Sequence, residues 1–249
     1  MEPYYQDLHN TLYNLNFLDN DLPDESVQMV VTSPPYWGLR KYAGEQDLIW
    51  GDNHCEHEWG EILGVIERNE SPGVGAKQEI HATQGINCSL CGAWRGSYGL
   101  EPTPEMYVQH TIEILREIRR VLRKDGVVFW NIGDSYAAGA TSPHKTMRDP
   151  KLMMGNSGWT KREQGTANTL VGSLKPKDLC LIPFRVAIAA QEDGWWVRSI
   201  IIWSKPNPMP ESVTDRPTES HEYILMLTKS ARYYWDADAV RETNGDEPT

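Results

Sequence analysis

The stretch Val27-Gln28-Met29-Val30-Val31-Thr32-Ser33-Pro34-Pro35-Tyr36-Trp37 decides how this 249-residue chain is read. Its first six residues form a short, β-branched and apolar run stopped by two prolines, as expected of a buried strand that ends abruptly. Proline has no N–H and a fixed φ, and it pushes the residue before it out of helical geometry. Ser33 and Pro34 are therefore expected in extended backbone at the strand's carboxyl end, their carbonyls open to a cleft.

Upstream, Leu22-Pro23-Asp24-Glu25-Ser26 reads as a turn leading into the strand. Downstream, Thr103 caps a helix with Pro104 in its first turn. Val108, Ile112, Leu115, Ile118 and Leu122 follow at helical spacing until Lys124-Asp125-Gly126. Residues 127–132 read as a second buried strand closing at Gly133-Asp134-Ser135-Tyr136. Asp178 is expected to cap a further helix running to about Glu192, with Ile182, Val186 and Ala189 or Ala190 inward. Strands are expected at 195–203, 222–227 and, briefly, 232–235. This alternation predicts an α/β fold with a parallel sheet, where ligands gather at the carboxyl ends of strands. Ser33 and Asp134 both fall at such ends.

With 24 basic and 35 acidic residues the formal net charge is −11, which argues against a surface coated for nucleic acid. Residues 137–177 form a basic, Gly-rich segment. From Ala140 to Lys177, seven basic residues face two acidic ones, a local balance of +5. Such a stretch is either a solvated loop or a place where a phosphate backbone is met. The amino terminus lacks a signal-peptide pattern and no apolar run reaches membrane-spanning length, so no membrane partner and a cytoplasmic location are expected.

Between residues 41 and 100 periodicity disappears, which predicts an insertion needing its own means of staying ordered. It contains Cys55 and His57, then Cys88-Ser89-Leu90-Cys91-Gly92 about thirty residues on. A Cys-x-x-Cys-Gly turn presents two thiolates to one tetrahedral ion, and Cys55 with His57 completes a structural zinc site, His54 and His81 being rival fourth ligands. A redox role would need this turn to open a helix after a strand. Cys180, on an apolar helix face, reads as a core thiol.

The hexapeptide Thr32-Ser33-Pro34-Pro35-Tyr36-Trp37 suits one kind of chemistry. An exocyclic amino group on a nucleobase is a poor nucleophile, because its lone pair is delocalised into the ring. Two acceptors on its hydrogens, Ser33 Oγ and the Pro34 carbonyl, would localise that lone pair toward an incoming electrophile. An aromatic face beside them, Tyr36 with Trp37 in reserve, would offset the stacking lost when a base leaves the duplex. The bland alternative is a Pro-Pro strand terminator followed by two core aromatics.

The segment Thr32 to Arg40 resembles the catalytic motif of amino-methylating DNA methyltransferases, in the serine form usual among N4-cytosine enzymes. The resemblance continues through Asn131-Ile132-Gly133-Asp134-Ser135-Tyr136, Lys177-Asp178-Leu179 and Ile182-Pro183-Phe184-Arg185. It extends to Trp203-Ser204-Lys205-Pro206-Asn207-Pro208, Asp215-Arg216-Pro217-Thr218 and His221-Glu222-Tyr223. It implies a Rossmann-like sheet, represented by its catalytic half in a partial methyltransferase domain over residues 1–249, with a small zinc-binding insertion. It further implies S-adenosylmethionine as donor, double-stranded DNA as substrate, and a bacterial, archaeal or phage restriction-modification setting. Ser33, Pro34, Pro35 and Tyr36 would be catalytic; Trp37, Asp134, Arg216 and His221 would contact the substrate. N4 of cytosine is the expected target, with N6 of adenine the alternative.

The circularly permuted branch that this motif order resembles ends in a strand followed by an Asp-Pro-Phe-x-Gly-x-Gly turn for the donor, and this sequence contains no such turn. Tyr13-Asn14 stands where relatives carry Gly-Asp. Donor-binding residues therefore stay unassigned. Either the chain is one piece of a truncated or split gene, with a downstream half as partner, or it is a non-catalytic DNA-binding protein that has lost the donor site. The fragment reading is favoured, since the motif strand would otherwise leave an apolar edge unpaired.

Overall fold

The computed structural model describes residues 1–38, 46–51, 54–60, 86–137, 174–175, 177–208, 211 and 213–241. In chain order the strands are β1 (Tyr5–Gln6), β2 (Thr11–Leu12), β3 (Val27–Thr32), β4 (Asp47–Trp50), β5 (Ile86–Asn87) and β6 (Trp94–Ser97). Helix α1 (Pro104–Val121), β7 (Leu122–Ile132), α2 (Ile182–Glu192), β8 (Trp196–Ser204) and β9 (His221–Thr228) follow. The chain forms two compact units, one of Met1–Pro34, Thr111–Ile132 and Val186–Thr249, the other of Pro35–His110 and Gly133–Arg185.

The first unit is built on a four-stranded sheet in the order β3-β7-β9-β8. Val30, Val31 and Thr32 pair in parallel with Val128, Phe129 and Trp130. The remaining pairs are antiparallel, so the sheet is mixed rather than parallel throughout. The reason is the connection between β8 and β9, which carries no described helix: without a crossover the returning strand runs back beside its predecessor and inserts between β8 and β7. Val128, Trp130, Ile132, Leu225 and Leu227 make its core, all at most 1 % exposed.

Strand β3 departs from the buried strand expected of it. It is an edge strand, and Met29 and Val31 are 54 % and 68 % exposed. At the other edge Ile202 and Trp203 of β8 are likewise exposed. No strand forms at 232–235; the Tyr234 amide donates a lone bond to the Asp125 carbonyl.

Helix α1 forms where the spacing predicts it, with Thr103 Oγ1 accepting from the Met106 amide as its cap. Ile112, Leu115 and Ile118 are buried, whereas Leu122 already belongs to β7. Near its end Arg120 holds the 22–26 turn. Its guanidinium donates to the Leu22 carbonyl and Asp24, both at 2.7 Å, and to Glu117, while its carbonyl accepts from the Glu25 amide.

The hydrogen bonds from Arg120 hold the Glu117 carboxyl below its ordinary pKa. A depressed carboxyl contributes stability above its unfolded pKa and loses it as pH falls through the folded one. Arg120→Ala is expected to lower stability near neutral pH, where the ionised Glu117 loses its partner. The urea midpoints of the two proteins should converge as pH drops below the carboxylate range.

Within the second unit β4, β6 and β5 form an antiparallel sheet, with Trp50 opposite Trp94. Helix α2 starts at Ile182, and its cap is not Asp178. Asp134 Oδ1 accepts from the Ile182 amide at 3.0 Å, while Asp178 Oδ2 accepts from the Lys175 amide. Of the inward candidates, Ile182, Val186 and Ala190 are buried. Tyr136 bridges Leu179, the Ala137 amide donates to the Asp178 carbonyl and the Lys177 amide to that of Ala137. The basic segment expected over 137–177 lies, from 138 to 173 and at 176, outside the described residues. Among the described residues no helix is long and apolar enough to cross a membrane.

Candidate functional site

The pairing register puts the carboxyl ends of β3, β7 and β8 and the amino end of β9 at one end of the first unit's sheet. Ser33 leaves this end directly after Thr32. His221 opens β9 opposite Ser204 and stands edge-on to Tyr223, ring centroids 4.9 Å apart. Arg216, in the β8–β9 connection, donates to Glu211 at 2.8 Å and to the Pro217 carbonyl at 3.0 Å. A group the sequence reading passed over lies here too: Glu222 takes Lys205 Nζ on one carboxylate oxygen and Asn131 Nδ2 on the other. Its strand alternation alone could have placed Glu222, but not its partners.

In the second unit the motif continues as a loop, Pro35 to Gly38, fixed at nearly every residue. Tyr107 Oη donates to the Pro35 carbonyl at 3.1 Å, Trp37 Nε1 to the Glu101 carbonyl at 3.0 Å, and the Gly38 amide to the Gly99 carbonyl at 2.8 Å. Two glycines make room for it. A Cβ on Gly99, at φ +93°, would lie 3.0 Å from Pro35 Cβ and 3.1 Å from the Tyr36 carbonyl oxygen. One on Gly133 would lie 2.8 Å from both Cδ2 and Cε2 of the Tyr36 ring. The motif aromatic thus sits directly on the glycine that follows β7.

Asp134 comes next in the chain. Oδ1 accepts from the amides of Ser135 and Ile182, so this oxygen serves the helix, whereas the buried Oδ2 has no partner among the described residues. Burial raises its pKa despite those amide bonds. Its geometry therefore combines the turn-closing role with one acceptor held in reserve.

The cysteine cluster assembles in the same unit. One donor atom each from Cys55, His57, Cys88 and Cys91 all lie within 4.8 Å of one another. Cys55 Sγ is 4.0 Å from Cys88 Sγ, and Cys91 Sγ is 3.5 Å from His57 Nδ1. A tetrahedral ion with bonds of about 2.3 Å to sulfur and 2.05 Å to nitrogen would set these separations at about 3.8 and 3.6 Å. The residues therefore fit a metal.

Local backbone explains the fit: the Cys88 amide donates to Ala93, the Gly92 amide returns to Cys88, and Gly92 adopts φ +76°. Burial would raise the Cys88 thiol, but the amides of Cys91 and Leu90 and the His57 ring together draw it down to about 6. Burial and the neighbouring thiols push Cys55 up to about 12, a crowding that a cation would relieve. His54 is not in the group and His81 lies outside the described residues. Cys180 is fully buried, and burial raises its thiol, as a core residue requires.

A family model described as DNA methylase, of the N6 and N4 type, matches residues 27–249. This chain belongs to the N6/N4 DNA methylase family. Among curated relatives, the Type II methyltransferase M.Cfr9I of Citrobacter freundii is 37 % identical over 221 residues, covering 89 % of this chain and 54 % of the relative. M.SmaI of Serratia marcescens is 36 % identical, covering 90 % and 57 %. The chain thus spans about half the length of these methylases. The solved PvuII DNA methyltransferase, described as cytosine-N4-specific, superposes with a TM-score of 0.53 at 14 % identity over 96 % of this chain and 55 % of its own. That likeness establishes the methylase fold, and with it the α/β class.

Proposed function

We propose that this chain carries the base-accepting part of a site-specific DNA methyltransferase directed at N4 of cytosine. The observation that carries the reading is the Ser33-Pro34-Pro35-Tyr36 motif: it leaves the carboxyl end of β3, and Tyr36 rests on Gly133. The main-chain acceptor for the amino group is the Pro34 carbonyl, with Ser33 Oγ as the second, while the next carbonyl, that of Pro35, accepts from Tyr107 and helps fix the loop. Tyr36 stacks on the flipped base, and Trp37 supports it through the Glu101 carbonyl. Asp134 Oδ2, Arg216 and His221 are the further substrate contacts in this reading. Serine at position 33, and the cytosine-N4-specific description of the PvuII enzyme, support cytosine over adenine.

S-adenosylmethionine is the donor the family implies. Its glycine turn is not in this sequence, so the reading covers the acceptor side alone. Cys55, His57, Cys88 and Cys91 hold a structural zinc ion that orders the β4–β6 sheet.

The test incubates the purified chain, alone and with any product encoded downstream, with DNA and methyl-labelled donor, then identifies the labelled nucleoside. N4-methylcytosine is expected. N6-methyladenine would move the target to the other amino base, and label on carbon 5 or on no base would overturn the reading. Ser33→Ala removes one of two acceptors and should lower the rate by about 100-fold or more, with zinc content unchanged.

A further inference from the structure

We infer that the buried Glu101–His110 pair is a positioning device that sets the Pro35–Gly38 loop and ties it to the metal-held sheet. This rests on the proposed role of that loop in receiving a base. Glu101 is 1 % and His110 4 % exposed, and His110 Nδ1 meets Glu101 Oε1 at 3.0 Å. Such a pair is a costly way to fill space, since apolar side chains of similar volume are often as stable or more so. What a carboxylate adds is direction.

One carboxylate oxygen and the carbonyl of Glu101 both bear on the loop. Oε2 accepts from the Gly99 amide at 2.8 Å, fixing the residue whose carbonyl takes the Gly38 amide and whose Cα lies against Pro35. The Glu101 carbonyl takes the Trp37 indole at 3.0 Å. The loop's far half thus hangs on one residue, and that residue is oriented by His110.

His110 leads to the other sheet. Its ring stacks on Trp50 of β4, at 4.2 Å between centroids and 16°, and on Trp94 of β6 at 5.4 Å and 20°. Trp94 follows Ala93, whose carbonyl takes the Cys88 amide at 2.7 Å. A continuous set of contacts therefore runs from the cysteine cluster through the tryptophans and His110 to Glu101 and the motif loop, all within the second unit.

The experiment needs neither DNA nor methyl donor, so it stands apart from the outcome of the methylation assay. In the full zinc-loaded chain, hydrogen exchange is followed by NMR at the Trp37 indole and the Gly38 amide, the indole assigned with Trp37→Phe. Glu101→Ala should speed exchange at both by about 10- to 100-fold, the range set by losing one buried partner, while β7 and β9 amides keep their protection. Glu101→Gln should restore protection, because its amide offers an acceptor to Gly99 and a donor to His110. His110→Phe keeps the stack but removes Nδ1, and should loosen the same two sites. If Glu101→Ala does not fold, the contrast between Glu101→Gln and His110→Phe decides. Unchanged protection at Trp37 and Gly38 in His110→Phe, or protection lost equally in β7 and β9, would overturn the inference.

Discussion

Cys88→Ser is expected to abolish stoichiometric zinc binding and melt the β4–β6 sheet. Cys88 is the most buried donor of the cluster, 3 % exposed, and its backbone closes the turn that presents Cys91. Structural zinc sites contribute roughly 10–16 kcal/mol of apparent binding free energy, more than a short three-stranded sheet can supply from its own pairing. Serine keeps the shape but offers a poor ligand. Zinc measured by elemental analysis should drop from about one to below about 0.1 per chain, and the near-ultraviolet circular dichroism of Trp50 and Trp94 should collapse. Cys180→Ser, altering a thiol outside the cluster, should retain both signals. Zinc held at full stoichiometry by Cys88→Ser would remove the site from consideration.

The second large effect is expected at a residue with no side chain. Gly133 is buried, and the Cβ of any replacement would intrude to 2.8 Å on two atoms of the Tyr36 ring. Its φ is not in the left-handed region, so the constraint is purely one of space. Gly133→Val must displace Tyr36, because the loop behind it is held at Pro35, Trp37 and Gly38. Overpacking of this kind costs about 1–3 kcal/mol of stability. A stacking face moved by about 1 Å costs roughly 100-fold in rate. Both are measurable, the first by urea denaturation of the chain alone and the second as methyl transfer in an active assembly. Wild-type values for both would show that Tyr36 does not depend on this glycine.

The parts of this molecule that the sequence makes legible are those fixed by local chemistry. Two prolines end β3, Thr103 and Pro104 start α1, and a Cys-x-x-Cys-Gly turn sets Cys88 and Cys91 side by side; none needs a distant residue to be understood. What stayed hidden depends on distance along the chain. The cap of α2 is Asp134, 48 residues upstream of the amide it accepts from, while the nearer Asp178 closes its own turn. The direction and place of β9 follow from pairing with β7 and β8, which apolar alternation cannot specify. The exposure of Met29 and Val31 follows from β3 being an edge, and the Glu101–His110 pair from two tryptophans meeting across β4 and β6.

The clip formed by Tyr136, Ala137, Lys177, Asp178 and Leu179 has a consequence for divergence. It brings the two ends of the 137–177 stretch together by backbone bonds that no side chain in between has to supply. Side chains at Tyr136, Ala137, Lys177 and Leu179 can therefore change while the backbone bonds that close the clip, next to Gly133 and Asp134, stay in place.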